Sequence, residues 1–114
     1  MTPVKAAKDR LHGTLDVLVL RALASGPRHG YDVVRWIEER TRRTIMIEDG
    51  SLYPSLYRME QQGWVRASWG MSELGRRAKF YTITARGRRQ LERETAEWTA
   101  FVNAVALALL PTSR

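Results

Sequence analysis

Apolar residues recur along residues 11–24 at Leu11, Leu15, Leu18 and Ala22, backed by Val19 and Leu23. That spacing predicts an amphipathic helix, which Ser25-Gly26-Pro27 ends. Residues 31–41 set Val33, Val34, Trp36 and Ile37 on one side of a second helix, and residues 42–50 show no period and read as a loop. A third helix is predicted from Ser51, in N-cap position, with Leu52, Leu56 and Met59 along its core stripe. Pro54 falls in its first turn, where a missing N–H costs little, and Gly63 stops it. From Trp64 the period drops to about two: Val65, Ala67 and Trp69 alternate with Arg66, Ser68 and Gly70. Tyr81 and Ile83 share a face with Thr82 between them. Two strands therefore flank residues 71–77, a hairpin whose tip carries Gly75 and two arginines. Thr84 caps a long last helix over residues 85–110, ended by Pro111.

Three helices, a hairpin and a helix make a mainly α chain with a small β-hairpin, the layout of a winged helix-turn-helix with a long C-terminal dimerisation helix. Residues 1–84 form the winged-helix unit and residues 85–114 the dimerisation helix, within one compact body. In this layout the third helix enters a major groove, and the hairpin reaches the adjacent backbone or minor groove. Opposite its core stripe the third helix offers Tyr53, Ser55, Tyr57, Arg58 and Gln62, most of them able to bond base edges or phosphates. The tyrosines have a competing role, covering the core with the hydroxyl in water. Ser51 is a cap first and a DNA contact second.

Charge sharpens this layout. The 114 residues hold 19 Lys and Arg against 12 Asp and Glu, a formal net charge of +7. Between Arg66 and Arg89 stand seven basic residues against the single acid Glu73, so this segment alone carries +6. Charge of one sign gathered on a hairpin and the following helix start is a footprint for a polyanion. Arg76, Arg77 and Lys79 sit at the hairpin, where guanidinium groups suit phosphates and narrow minor grooves. Arg86, Arg88 and Arg89 occupy the positive end of the last helix, where cations are unfavourable unless an anion or an acidic neighbour such as Glu92 is close.

The last helix carries a second message. Leu91, Trp98 and Val105 recur every seven residues, with Phe101, Val102 and Leu109 beside them. The three preceding helices are too small to cover so wide an apolar surface, and homodimerisation is the simplest account. The competing accounts are packing wholly within one chain and an amphipathic membrane helix. The membrane reading lacks a basic face after Arg93. There is no cysteine, and the two histidines, His12 and His29, stand apart. With no nucleophile–base pair, phosphate loop or metal spacing, neither catalysis nor a cofactor nor a metal is expected. The N-terminus has no targeting signal and no run is long enough to span a membrane, so a cytoplasmic protein is expected. The function expected is sequence-specific binding of double-stranded DNA. The alternative is an interaction module that presents its basic wing to a protein or RNA.

Gly50-Ser51-Leu52-Tyr53-Pro54-Ser55-Leu56, then Arg58-Met59-Glu60 and Gly63-Trp64-Val65, resemble the signature of PadR-like transcriptional regulators. Arg76-Arg77-Ala78-Lys79-Phe80-Tyr81, then Thr82-Ile83-Thr84 and Gly87, are similar to that family's wing and last-helix start, and His29-Gly30-Tyr31 to its second-helix entry. Phe80 departs, standing where many members have Tyr. The resemblance runs from Leu11 to Leu110 and implies a dimeric repressor on a pseudo-palindromic operator, released by a small molecule or another signal. It places Tyr31, Ser51, Tyr53, Tyr57, Arg77 and Lys79 near DNA. It also sets the last helix against the partner's N-terminal helix, which brings Leu11, Leu15 and Leu18 to the dimer interface. Some members sense flat aromatic compounds near that interface. Trp98 stands at the matching stage of the last helix, either as a stacking surface for an aromatic effector or only as dimer core. The chain resembles the short form of the family, with little room for a separate sensor domain.

Overall fold

The computed structural model describes the backbone of residues 3–111 and the side chains of residues 13–48 and 50–111. Its elements are α1 (Pro3–Ala24), β1 (Arg28–His29), α2 (Gly30–Arg40), α3 (Asp49–Gln61), β2 (Val65–Met71), β3 (Arg77–Ile83) and α4 (Ala85–Leu109). The helical part is as the apolar spacing predicts, but α1 begins eight residues earlier than its stripe. Residues 3–10 are mostly good helix formers with no apolar period, so propensity extends the helix where periodicity is silent.

The turn from α1 into α2 is tied by side chains. Arg28 Nε donates to the Ala22 carbonyl at 2.8 Å, which satisfies an orphan acceptor at the end of α1, and its Nη1 pairs with Asp32 at 3.1 Å. The Asp32 N–H donates to His29 Nδ1 at 3.2 Å, making His29 the N-cap of α2. At the other end of α2 the Thr41 hydroxyl donates to the Ile37 carbonyl, and Arg42 and Arg43 turn the chain with φ of 52° and 60°.

α3 starts two residues before Ser51, and the N-cap is Glu48, with no side-chain bond. Ser51 is therefore inside the helix, and its N–H reaches the Glu48 carbonyl at 2.9 Å. Pro54 consequently lies in the second turn, where its absent N–H leaves the Gly50 carbonyl without its usual i+4 donor. The far end closes as expected: Gly63, at φ +77°, donates to the Glu60 carbonyl at 3.0 Å and Trp64 to that of Met59 at 2.9 Å, a Schellman motif.

β2 and β3 pair antiparallel from Val65 opposite Ile83 to Met71 opposite Arg77. β1, unmarked by any period because it is two residues long, adds to the outer side of β3 by pairing Arg28 with Tyr81 and His29 with Phe80. Val65, Tyr81 and Ile83 close the core formed by Val19, Leu20, Leu23, Val33, Ile37, Leu52, Leu56 and Met59. Only the first turns of α4 join it: Leu91 is 8% exposed. Leu91 is thus a residue of this chain's own core and not of a dimer seam, a correction to the seven-residue reading. The rest of α4 projects outward, giving overall dimensions of 56 × 28 × 25 Å.

Thr84 joins three elements. Its N–H donates to the Trp64 carbonyl at 2.9 Å, its hydroxyl donates to the Gly63 carbonyl at 2.6 Å, and it accepts from the Gly87 N–H at 3.0 Å. Gly87 permits this approach. A Cβ there would run into the Trp64 carbonyl oxygen and stand 2.8 Å from Ile83 Cγ1. Gly87→Ala is therefore expected to lower stability by about 1–3 kcal/mol, in the range of overpacking, read as a reduced urea midpoint with unchanged slope.

Candidate nucleic-acid interface

The core stripe of α3 divides its remaining surface into two sides. Tyr53 faces α2 and the wing, half-exposed at 54%. Its ring lies on Gly30 at the start of α2, with Cζ only 2.8 Å from where a Cβ would be. Glycine at position 30 thus lets the tyrosine seat flat against the α2 N-terminus. Tyr31, one residue on, is exposed, with the His29 ring parallel to it at 6.5 Å and the Arg35 guanidinium over it at 5.5 Å.

The wing closes the other wall. Its strands are longer than the core is wide. The face that buries Val65, Tyr81 and Ile83 therefore continues past the core as Trp69, Met71, Lys79 and Arg77, and Trp69 and Met71 stand exposed. Arg77 stacks over the Trp69 indole at 4.6 Å, and Lys79 Nζ lies 6.0 Å from the Tyr81 ring. The tip is a tight turn in which the Ser72 N–H bonds the Arg76 carbonyl at 2.7 Å and Gly75, at φ +73°, bonds that of Ser72. Between these walls lies an open cleft of about 810 Å³, lined by Tyr31, Tyr53, Trp69 and Tyr81 with Arg35, Arg76, Arg77 and Lys79. At its floor burial raises the Tyr81 phenol above its ordinary value, helped by the negative field of Glu60 and by Tyr53. The hydroxyl is therefore a neutral group at physiological pH.

The structure brings together Tyr31, Tyr53, Arg76, Arg77 and Lys79 from the residues expected to meet DNA. Tyr57 stands exposed on the next turn of α3, outside the cleft lining. Arg86 lies at the far end of α3, with Nη1 3.5 Å from where a Cβ on Gly63 would be. Arg88 donates to the Ala24 carbonyl at 3.4 Å, so one of the cations at the start of α4 serves the C-terminus of α1.

Ser55 is corrected. Ser55 is fully buried and its hydroxyl donates to Asp16 of α1. Arg58 Nη2 bonds the same carboxylate oxygen at 2.9 Å. Both take part in the α1–α3 junction, and the Arg58 side chain remains 46% exposed there. Ser51 also opens to the α1 side. With Leu15, Leu18, Ile45, Met46, Ile47 and Pro54 it lines a second groove, largely apolar and about 870 Å³ in volume. Sequence reasoning missed Trp69 and Arg35. Trp69 alternates in phase with Val65 and Ala67 and so reads as core. Its diagonal pairing with a wing arginine was the available signal.

The sequence model of the "Transcriptional regulator PadR-like family" matches residues 19–93. A Lysinibacillus sphaericus protein named "Uncharacterized protein X" is 31% identical over 90 residues, covering 79% of this chain and 83% of the relative. Among solved structures, a transcriptional regulator from Clostridium thermocellum superposes with a TM-score of 0.78 at 25% identity, covering 90% of this chain and 99% of the other. A PadR-like transcriptional regulator from Bacillus cereus gives 0.75 at 26%, covering 91% and 99%.

The Asp16 carboxylate is the acceptor for a buried hydroxyl, so removing it leaves that hydroxyl without its partner. Asp16→Ala is expected to cost about 1–3 kcal/mol, measured by urea denaturation. Ser55→Ala introduced into that variant should add little, because the unsatisfied group is then gone.

Proposed function

The chain belongs to the PadR-like family of transcriptional regulators, and on that footing we propose that it is a homodimeric repressor that binds a pseudo-palindromic operator. The observation that carries this reading is the cleft, in which one tyrosine of α3, the α2 N-terminus and a basic wing share one opening. Tyr53 and Tyr57 take the major-groove side. Tyr31 and the positive end of the α2 dipole meet a phosphate. Arg76, Arg77 and Lys79 engage the neighbouring backbone and minor groove, and Arg86 adds a phosphate contact beyond the end of α3.

Two surfaces support the dimer. The projecting end of α4 exposes Trp98, Val102 and Leu109, with Phe101 and Val105 partly covered. On the opposite side Leu15 and Leu18 line the apolar groove beside Ile45, Ile47 and Pro54. An apolar arm and an apolar groove on the same chain suit reciprocal docking across a two-fold axis. Leu11, assigned to the same interface, has its side chain outside the described residues.

The feature that supports an aromatic effector is the crevice between α1 and α4, where the Trp98 and Phe101 rings lie 5.8 Å apart beside Gly13, Val17, Glu94 and Glu97. There burial raises the Glu94 carboxyl above its ordinary value. Asp16 and Glu97 push it further up, against the Gln90 hydrogen bond and Arg93. In this reading the family's release signal acts where α4 leaves the core.

Titrating the protein against its own promoter DNA by fluorescence anisotropy tests the interface. Log K is expected to fall linearly with log salt, and Arg77→Ala or Lys79→Ala each to flatten the slope by about 1. Salt-independent binding, or none, would refute the reading. For the dimer, Trp98→Arg is expected to sediment as a monomer where the parent protein sediments at twice that mass. An unchanged mass would remove Trp98 from the interface.

A further inference from the structure

Trp69 stands out among the exposed aromatic side chains because its position in β2 is otherwise a core position. Val65 and Ala67 precede it on the same face and are buried or half-buried, whereas Trp69 is 60% exposed beyond the edge of the core. An indole left largely in water on a strand gains little from burial. Its described ring contact is with the Arg77 guanidinium, 4.6 Å from the ring centroid and diagonally across the β2–β3 ladder. Arg77 makes no ion pair among the described residues, and its side chain is exposed.

We propose that Trp69 is a positioning residue of the DNA interface: its indole holds the Arg77 guanidinium flat and extended, so that the wing delivers one ordered cation into a narrow, A·T-rich minor groove flanking the operator half-site. The inference rests on the DNA-binding reading and adds a specificity element to it.

Three features favour this role. A planar guanidinium stacks on a ring and keeps its donors in the ring plane, where an ammonium is a hydrated point charge. Narrow minor grooves of A-tracts concentrate negative potential and select arginine. The neighbouring cations differ: Arg76 closes the tight turn through its backbone, and Lys79 sits over Tyr81 at 6.0 Å, farther from its ring than Arg77 is from Trp69. Arg76 and Lys79 therefore act on phosphates irrespective of sequence. Arg77 reads groove width.

The test uses the full chain and a half-site pair selected by that chain from random duplex DNA. The selected site is placed between A-tract flanks or between G·C flanks, and affinity is measured by anisotropy at fixed salt. The parent protein is expected to prefer the A-tract flanks. Trp69→Ala should weaken binding to the A-tract duplex about two- to five-fold, the worth of an exposed cation–π contact, and leave the G·C duplex nearly unchanged. Trp69→Leu, which keeps apolar bulk without a π face, should behave like Trp69→Ala, and Trp69→Phe should restore most of the preference. In the Arg77→Ala background Trp69→Ala should have no further effect.

Additive losses in the double variant, an unchanged flank preference in Trp69→Ala, or parent-like behaviour of Trp69→Leu would each overturn the positioning role while leaving DNA binding intact. Failure of the parent protein to select any duplex would instead overturn the reading on which it rests.

Discussion

Thr84 and Gly87 fix where three elements meet, and the geometry of the proposed reading surface is inherited from that junction's hydrogen bonds. The Thr84 hydroxyl ties the end of α3 to the start of α4, and its N–H holds the β2 entry at Trp64. Gly87 keeps the first turn of α4 against the Trp64 backbone. With α3, the wing and α4 locked at one point, the tilt of the wing over α3 sets the cleft width. The direction of α4 then sets where its apolar end projects. A methyl group at residue 87 would disturb both at once, because the contact it meets is backbone and has no rotamer to yield.

The wing side of the cleft shows how a cation is kept ordered without an acid paired to it. Arg35 lies over Tyr31 and also within 3.7 Å of the Asp32 carboxylate, whereas Arg77 lies over Trp69 and makes no ion pair among the described residues, so on the wing an aromatic face takes the place that a carboxylate holds in an ordinary surface ion pair. A carboxylate partner would have to be displaced before a phosphate could bind. A ring face leaves the guanidinium edge open, and its energy of about 0.5–1 kcal/mol is small enough not to compete. Acids pair with cations elsewhere: Asp32 holds Arg28 beneath the α1–α2 turn as well as approaching Arg35, and Asp16 holds Arg58 beside α1.

Much of this architecture is legible in the sequence wherever a period or a strong local signal exists. The Gly63 stop, the Thr84 cap and the alternation through Val65 and Ile83 each coincide with the structure because local chemistry and tertiary packing ask for the same thing. The misreadings lie where two signals point apart. Ser51 is a good cap residue ahead of a proline, yet the chain turns helical at Asp49 with no side-chain cap. Ser55 reads as a polar residue between core positions, but its partner is 39 residues away on α1, beyond the reach of any window along the chain. Leu91 fits a seven-residue repeat and also the core of its own chain, and only the packing distinguishes them. Trp69 follows a strand period correctly but lies beyond the edge of the core, a limit set by sheet length against core width.

Asp16 links the two ends of the molecule. One carboxylate accepts from Ser55 and from Arg58, so α1 and α3 are joined by a buried hydrogen bond and an ion pair that share an atom. The same α1 forms one wall of the crevice beside Glu94 and Trp98 of α4. A buried hydroxyl resists losing its acceptor, so α1 and α3 respond to a displacement as one body, and the more yielding contact is the exposed one between α1 and the later turns of α4. A rearrangement at that crevice therefore shifts the later turns of α4 against α1 and α3 as one body, with the Thr84 junction as the fixed point, turning the Tyr53 and Tyr57 face relative to the far end of α4 and leaving the packing between α1 and α3 intact. In a two-fold assembly built through α4, such a turn would alter the separation of the two reading helices, the quantity to which an operator of fixed half-site spacing is most sensitive.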